Sequence, residues 1–326
     1  MKPLLTIAIP TFNRNEIVSR SIDRIRIQIT EKVRLLIVDN HSDLPISIDP
    51  SNASTEVMRN VANVGGNGNI LKCFELCESD WIWVLGDDDE ILEGAIAKIL
   101  SIIENYPDYI VINFSTSGAY CRNNSIKGVG RLAFLKSLDN FGNLLFISSN
   151  IFNRKKLIKH IDTGYHYAYS CAPHLAMLVQ SIGIQDEFLY STDKIVKWER
   201  PIVENRGSLL IIGSGLPTLL ELQMTATERK ILSSHLSRFP NISSVAHQCF
   251  LQCVYSNDNP FHIRKQMYRV ISRMSFSEAP LRKIEGLIWH TMLIFPRFFY
   301  FFIVRPLFHY KTGIRSGPQL RKLERL

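Results

Sequence analysis

An acidic turn follows directly after an apolar run in the segment WVLGDDDE, residues 83–90. Carboxylates this close repel one another, so holding them together requires a compensating interaction. Mg²⁺ and Mn²⁺ prefer oxygen ligands, often one or two carboxylates together with substrate phosphates. The spacing predicts that Asp87 and Asp89 point the same way and bind such a cation with a diphosphate, while Asp88 points elsewhere. Alternatively, one aspartate caps the helix that follows, although capping needs only one carboxylate.

Two other polar segments could bind a nucleotide. Asp39 ends the apolar run LLIVDN, residues 35–40, where a carboxylate can accept hydrogen bonds from a base or a ribose. It could equally be a turn-forming residue. The segment NVGGNGN, residues 63–69, resembles a glycine loop that binds phosphate before a helix. It matches neither G-x-G-x-x-G nor the Walker A sequence, so taken alone it is a weak signal.

Strands and helices alternate along the part of the chain that carries these residues. Apolar runs of strand length, each followed by polar residues, occur at 4–12, 33–40, 55–61, 81–85 and 108–115. Apolar residues at helical spacing lie between the first two runs, after the glycine loop, and from Ile91 to Ile103. This order predicts an α/β fold, a Rossmann-like, mostly parallel sheet flanked by helices. The polar strand ends would then meet in one crevice.

In this order and at this spacing, four segments resemble the family 2 glycosyltransferases of the GT-A fold. They are IAIPTFNR, LLIVDNHSD, RNVANVGGNGN and WIWVLGDDDEILEGAI. The resemblance is strongest to bacterial O-antigen and polysaccharide enzymes, including abequosyltransferase-like members. It implies a metal-dependent transferase that moves one hexose or deoxyhexose from a nucleotide-diphosphate-sugar, with inversion at the sugar carbon and with Mn²⁺ or Mg²⁺ as cofactor.

The resemblance also implies roles for individual residues at the strand ends. The donor nucleotide would be bound by Pro10, Thr11, Asn13, Arg14, Asp39, Asn63, Gly65, Gly66 and Asp87. Within this set Asp39 would contact the base, and Asn63 with its loop would contact the ribose and diphosphate. Asp87 and Asp89 would form the D-x-D motif that meets ribose and metal. The cation would neutralise the departing diphosphate while positive charge develops on the sugar.

The resemblance is incomplete at the general base. Inverting members of the family have a carboxylate, often in a Glu-Asp pair, at positions that here hold the residues Ser-Cys-Ala-Pro, 170–173. The remaining candidates for deprotonating the acceptor are His174, Asp186, Asp88 and, on the preceding loop, His166. Two other interpretations stay open: a nucleotidyltransferase with the same sheet, and a catalytically degenerate domain that binds a glycan or a partner.

Three regions are predicted: a GT-A domain over 1–210, a helical accessory region over 211–285, and a basic aromatic tail over 286–326. From residue 260 onward there are thirteen lysines and arginines but three acidic residues, whereas the whole chain has a formal net charge of +8. Arginines and prolines interrupt the apolar runs of the tail, so a transmembrane helix is not expected. Aromatic residues beside arginines favour a segment in the headgroup layer of an anionic membrane; a buried helical hairpin is the alternative.

Composition and cysteine usage bound the remaining possibilities. A hydrophobic content of 46% with 21% charged residues is typical of a globular enzyme. No nucleic-acid-binding motif is present, so no nucleic acid partner is expected. The six cysteines and the early polar residues of the N-terminus favour reduced thiols and no secretory signal. We therefore expect a cytoplasmic protein, peripherally bound to the inner face of the membrane, acting on a lipid-linked oligosaccharide.

Overall fold

The computed structural model describes residues 2–47, 55–117, 121–197, 215–236, 291 and 302. The chain divides into two units, one made of Met1–Arg200 with Glu221–Ile231 and the other of Pro201–Leu220 with Leu232–Leu326. The predicted boundary at residue 210 and almost all of the accessory region and basic tail lie outside the described residues. The first unit contains every predicted nucleotide, metal and catalytic residue.

Nine strands of the described residues form one sheet, in the order β3-β2-β1-β4-β8-β6-β9-β5 with β7 paired to β9. The strands are β1 Leu5–Thr11, β2 Val33–Asp39, β3 Thr55–Arg59, β4 Trp81–Val84, β5 Glu90–Ile91, β6 Tyr109–Ser117, β7 Ile126–Val129, β8 Asn150–Asn153 and β9 Glu187–Lys197. The α-helices are α1 Asn15–Arg26, α2 Gly65–Leu76, α3 Ala95–Asn105, α4 Arg131–Ser137, α5 Phe141–Leu145, α6 Arg154–Leu157, α7 Ile161–His166, α8 Pro173–Ser181 and α9 Ala226–Leu236.

The direction of each strand decides which loops can meet. Strands β3, β2, β1 and β4 are parallel neighbours, so their carboxyl ends share one edge of the sheet. Strand β8 is antiparallel to both β4 and β6, and β9 is parallel to β6. Strands β6 and β9 therefore run in the same direction as β1. The predicted α/β sheet is confirmed; it is mixed because β8 inserts between β4 and β6.

The central strands are apolar along their whole length because helices cover both faces of the sheet. Leu5, Ile7, Ile9, Trp81 and Trp83 are all at most 1% exposed. Helices α1 and α3 contribute apolar residues at helical spacing to the same core: Val18, Ile22, Ile25, Ile96, Ile99 and Ile103. This packing fixes the position of the strand ends, from which the polar loops project.

The segment after the acidic turn differs from the prediction of a helix beginning near Ile91. Glu90–Ile91 instead forms β5, which pairs with β9, and α3 begins only at Ala95. Gly94, with φ +70°, precedes this helix, and its amino end has no side-chain cap among the described residues. The acidic turn therefore does not cap a helix, and the alternative prediction, that one of the three aspartates caps the helix that follows, is wrong.

Two reciprocal hydrogen bonds define the amino end of α9. The Thr225 hydroxyl accepts from the Glu228 amide at 3.2 Å, and the Glu228 carboxylate accepts from the Thr225 amide at 2.8 Å. This reciprocal pair is a capping box, which places the helix start at Ala226.

Among the described residues, none of the helices has the length and apolar character that crossing a membrane would require.

Candidate active site

The acidic turn connects β4 to β5 and is held by the loop that follows β1. The Asp89 amide donates to the Gly86 carbonyl at 3.2 Å, which closes the turn. Asp87 is only 7% exposed, and its carboxylate accepts hydrogen bonds from Thr11 Oγ1 and Arg14 Nη1, both at 2.8 Å. Burial raises the pKa of Asp87, while the Thr11 hydrogen bond and the Arg14 charge oppose that rise. Thr11 and Arg14 therefore supply the compensation that the buried carboxylate requires.

Arg14 also connects the first two aspartates. Its Nη1 lies 3.2 Å from Asp88 Oδ2, and the Asp88 side chain is 63% exposed. The charge of Asp87 is the main reason that the pKa of Arg14 is raised. Asp87 and Asp88 share one guanidinium and Asp89 has a different partner, so these contacts do not group Asp87 with Asp89. That Asp87 and Asp89 bind one cation stays a prediction.

Asp89 is turned toward the chain segment before β8. Ser148 Oγ donates to Asp89 Oδ2 at 2.5 Å and accepts from the Gly86 amide at 2.9 Å. A side chain at residue 86 would collide with the Asp89 carboxylate, so glycine at this position lets that carboxylate lie against the turn. Burial raises the pKa of Asp89 to about 6, opposed by the Ser148 hydrogen bond and reinforced by the charges of Asp88 and Asp87.

The acidic turn suits one kind of divalent cation site and not another. In the described part of the chain, no group of three or more His, Cys, Asp or Glu residues could hold a metal. Mg²⁺ and Mn²⁺ sites of nucleotide-dependent enzymes commonly use one or two carboxylates and complete their coordination with phosphate oxygens and water. Two or three carboxylates on one turn therefore suit an ion whose remaining ligands come from a diphosphate and water. They do not suit an ion that is coordinated by protein side chains alone.

A cluster of four asparagines orders the loops beside the acidic turn. Its members are Asn40, Asn60, Asn63 and Asn69. Asn40 Nδ2 donates to Asn63 Oδ1 at 2.8 Å, and Asn60 Nδ2 lies within hydrogen-bonding distance of both Asn40 and Asn69, at 3.0 and 2.8 Å. Asn69 Nδ2 donates to the Val38 carbonyl of β2 at 2.9 Å. The cluster was missed as a unit, although all four of its members lie within the quoted segments LLIVDNHSD and RNVANVGGNGN.

The glycine loop forms the amino end of α2, and the space beside its first two glycines is open. Gly65 has φ +77°, and its amide donates to Asn63 Oδ1 at 2.9 Å. Apart from its neighbours in the chain and the backbone of its own helix, no described atom lies within 4 Å of the position that a Cβ would take at Gly65 or Gly66. The first N–H groups of a helix lack intrahelical partners, and they favour anions. The loop can therefore receive phosphate oxygens next to the acidic turn.

Asp39 is fully buried and already has partners for both oxygens. Oδ1 accepts from the Ser42 amide at 3.0 Å, and Oδ2 pairs with Arg59 Nη1 at 2.9 Å. Because Asp39 is fully buried, a neighbouring group would have to move before a nucleobase could contact it, and the predicted direct contact stays a prediction. Arg59 was missed, yet it could have been found: it ends the third strand, and parallel pairing places it opposite Asp39.

The remaining predicted nucleotide residues lie at the end of β1. Pro10 is half-buried in the strand, and Asn13 adopts a left-handed conformation with φ +55°. Asn13 Nδ2 donates to Asp43 Oδ2 at 3.0 Å, and the Asp43 amide donates back to Asn13 Oδ1 at 2.8 Å. These bonds join the loops after β1 and β2. A depression of about 480 Å³ lies beside them, lined by Asn13, Arg14, Asn15, Glu16, Ile17, Asp43 and Leu44.

His174 does not lie in the crevice, and its prediction as the general base is wrong. The side chain is 2% exposed in α8, with its ring centroid 6.1 Å from that of Phe152. Neither ring nitrogen has a hydrogen-bond partner among the described residues. Burial lowers the pKa of His174 to about 4, opposed by the backbone of Leu145 and Leu144. An acceptor hydroxyl could not reach this imidazole.

Asp186 is also excluded as a base by its position. It precedes β9 and pairs with Lys156 Nζ at 2.7 Å. Because β9 runs in the same direction as β1, the amino end of β9 is at the sheet edge opposite the acidic turn. Of the four candidates for the base, His174 and Asp186 lie outside the crevice, whereas Asp88 lies in it.

The chain is similar in sequence to known glycosyltransferases. The family model "Glycosyl transferase family 2" matches residues 6–170. An uncharacterized glycosyltransferase of Haemophilus influenzae is 28% identical over 119 residues, a match that spans 36% of this chain and 40% of that protein. Abequosyltransferase RfbV of Salmonella typhimurium is 22% identical over 233 residues, spanning 63% of this chain and 67% of that protein.

Solved structures show the same fold at low sequence identity. S. aureus TarS 1-349 in complex with UDP has a TM-score of 0.60 and 13% identity, with 92% of this chain and 91% of that chain covered. Mannosyltransferase PcManGT from Pyrobaculum calidifontis, in complex with GDP-Man and Mn²⁺, has a TM-score of 0.51 and 12% identity, with 93% and 88% covered. These likenesses confirm the predicted GT-A fold.

The buried ion pair beside the asparagine cluster gives a testable prediction. Replacing Arg59 by Ala leaves the Asp39 carboxylate buried without its counter-charge, so we expect the free energy of unfolding to fall by about 3 kcal/mol. Arg34→Ala is the matched control on β2, because Arg34 pairs with the exposed Glu56 and Glu78 and should cost less than about 1 kcal/mol. Urea unfolding measures both; equal losses would contradict the assignment.

Proposed function

The chain belongs to glycosyl transferase family 2, and we propose that it transfers a single sugar from a nucleotide-diphosphate-sugar to an acceptor hydroxyl. The proposed acceptor is a lipid-linked oligosaccharide in the synthesis of a cell-surface polysaccharide such as O-antigen. The likeness to an abequosyltransferase supports this choice of pathway and of a hexose or deoxyhexose. Donor binding is proposed at the crevice where the ends of β1, β2, β3 and β4 meet.

The observation that carries this proposal is the clamping of the acidic turn by Thr11 and Arg14 next to the open start of α2. The turn offers negative charge to a cation, and the N–H groups of α2 offer positive potential to phosphate oxygens. A nucleotide diphosphate with its cation is complementary to both. The aspartates have no helix to cap, so the placing of the buried Asp87 beside two other carboxylates is consistent with this ligand.

The chain's own residues have separable tasks in the proposed reaction. A bound Mn²⁺ or Mg²⁺ would neutralise the diphosphate as it leaves the sugar. Asp89, with the neighbouring Asp87, would hold the ion, and the glycine loop would orient the diphosphate. Arg14 would neutralise the acidic turn when no cation is bound. Asp88 is proposed as the carboxylate that faces the sugar, because it is the exposed member of the turn.

A second candidate function is binding of a glycan or a partner protein without turnover. It is favoured by the residues at the start of α8, where Ser170, Cys171, Ala172 and Pro173 replace the expected carboxylate. The inverting mechanism therefore depends on a base from outside α8. Turnover of a nucleotide-sugar separates this alternative from the transferase.

The location of the protein is proposed from its sequence. We place it at the inner face of the cell membrane, held peripherally by the basic tail over 286–326. Juxtaposed basic and aromatic residues bind anionic lipid surfaces through charge and interfacial burial. Such a position would bring the crevice to a lipid-linked acceptor.

A donor panel tests the catalytic proposal. Purified protein, Mn²⁺ and a bacterial membrane lipid extract should release nucleotide from one of UDP-, GDP-, CDP- or dTDP-sugars. Asp89→Asn should lower kcat/KM by about 100-fold or more, because a preorganised charge at the leaving group is lost. Asp186→Asn, at the opposite sheet edge, is the matched control and should leave activity unchanged. Nucleotide binding without release from any donor would establish the non-catalytic alternative.

The raised pKa of Asp89 predicts a pH dependence of cation binding. The cation needs the ionised carboxylate, so the affinity for Mn²⁺ with UDP should weaken as pH falls through about 6. Ser148→Ala removes a hydrogen bond that lowers this pKa, so its midpoint should move to higher pH. Calorimetric titration from pH 5 to 8 measures both. Asp89→Asn should abolish this pH dependence of Mn²⁺ affinity. If the same pH midpoint persists in that variant, another group is responsible for it.

Vesicle co-sedimentation tests the membrane proposal. Each basic residue near an anionic surface contributes about 1 kcal/mol, so replacing four should weaken binding roughly a thousandfold. The variant carries Arg297→Gln, Arg305→Gln, Lys311→Gln and Arg315→Gln. We expect the full chain to sediment with phosphatidylglycerol vesicles but not with phosphatidylcholine vesicles. Equal sedimentation of wild type and variant with the anionic vesicles would remove the proposal.

A further inference from the structure

An exposed aromatic surface lies between α7 and α8, in the segment YHYAY, residues 165–169. The rings of Tyr167 and Tyr169 are stacked, with centroids 6.2 Å apart and planes 18° apart. Tyr169 is 53% exposed, whereas Tyr167 behind it is 9% exposed. His166 packs edge-on against Tyr167, with centroids 5.1 Å apart. We call Tyr167 and Tyr169 the tyrosine platform; the buried ring supports the exposed one.

The tyrosine platform is attached to the start of α2. Asn67 Nδ2 donates to the Ala168 carbonyl at 2.7 Å, and Ala168 lies between the two tyrosines. Asn67 is in the first turn of α2, directly after Gly65 and Gly66. Because α2 starts after the carboxyl end of β3, this contact places the platform at the same sheet edge as the acidic turn.

The platform lies on the other side of α2 from Asp39. Helix α2 packs across β1, β2 and β4, and both α7 and α8 pack against it. The α8 side chain His174 contacts Phe152 of β8, which is on the β4 side of the sheet. Asp39 and Arg59, by contrast, end β2 and β3. The platform therefore flanks the proposed diphosphate position on the side away from the proposed nucleobase position. A second substrate would have to bind on the side of the platform.

The backbone holds the platform in a defined conformation. The Ser170 amide donates to the Tyr167 carbonyl at 2.9 Å, and the Ala172 amide donates to Ser170 Oγ at 3.1 Å. Cys171 has φ +63°, a left-handed conformation that is strained for a non-glycine residue and is concentrated at functional sites. A ring held this way loses little conformational entropy when it binds a ligand.

We propose that the tyrosine platform binds a pyranose ring of the acceptor glycan, with the exposed face of Tyr169 stacked on the C–H face of the sugar. The assignment rests on the proposed function, since it supplies the second substrate of that reaction. An amphipathic tyrosine ring suits a ligand with one apolar face and hydroxyl edges. The nearby charges are mixed, with Lys72 and Glu75 beside Tyr165 and Glu221 acting on Tyr167, which favours a neutral sugar over a phosphate.

Saturation-transfer NMR on the full chain tests the platform. The probes are the methyl glycosides of α-D-mannose, β-D-galactose and α-L-rhamnose, each added with UDP and Mn²⁺. We expect transfer to the ring C–H protons of at least one glycoside, loss of that signal in Tyr169→Ala and Tyr169→Leu, and retention in Tyr169→Phe. Tyr106→Ala is the matched control, because Tyr106 is 43% exposed and stacked on Tyr109 at the opposite sheet edge.

Nucleotide binding, measured by calorimetry with UDP, GDP, CDP and dTDP on the same variants, separates the two proposals. One nucleotide should bind wild type and Tyr169→Ala equally. Two outcomes would overturn the glycan-binding role of the platform and leave the proposed function intact. In the first, nucleotide binds but no glycoside gives a signal. In the second, nucleotide binds and the glycoside signal survives in Tyr169→Ala and Tyr169→Leu. A glycoside signal that depends on Tyr169 in a chain that binds no nucleotide overturns the proposed function instead. Loss of nucleotide binding in Tyr169→Ala would assign the ring to the donor and overturn the platform.

Discussion

The carboxylate of Asp87 imposes the main constraint on the crevice. It is almost fully buried beside two other carboxylates, an arrangement that desolvation and like-charge repulsion both oppose. Hydrogen bonds from Thr11 and Arg14 offset this cost, and the Ser21 hydroxyl of α1 adds a bond of 2.8 Å to the Asp87 carbonyl. Thr11 belongs to β1, Arg14 directly precedes α1, and Ser21 lies in the middle of α1. The acidic turn therefore joins two neighbouring strand ends, and the alignment of the crevice depends on it.

In the proposed site, the same constraint would make Arg14 and a divalent cation alternative sources of positive charge. Arg14 is about half exposed and contacts Asp87 and Asp88 at once, so it supplies positive charge where the turn needs it. A cation that arrives with a diphosphate brings charge to the same carboxylates and adds phosphate groups that a guanidinium can pair with. Arg14 can thus exchange one anionic partner for another without being left unpaired. Exchange of partners costs less than breaking an ion pair outright.

The parts of the site that were predictable from the sequence are those that depend on local pattern. The apolar runs located β1, β2, β3, β4 and β6, and the polar residues after the first four identified one sheet edge. The partner of Asp89 was not predictable, because Ser148 lies 59 residues later and reaches the turn only through pairing of β8 with β4. Strand β8 has four residues, two of them asparagines, so periodicity could not reveal it. Burial of His174 likewise depends on packing against that strand.

The position of α8 limits where a general base could come from. Its residues from Pro173 to Val179 are all buried, so the helix is a packing element and cannot present a side chain to an acceptor hydroxyl. Cys171, directly before it, has a thiol whose pKa is raised by burial and which therefore resists ionisation. Two of the exposed titratable side chains near the proposed substrates are Asp88 in the acidic turn and His166 beside the tyrosine platform. If the chain catalyses inversion, Asp88 and His166 are two candidates for the deprotonation among the residues that the structure describes.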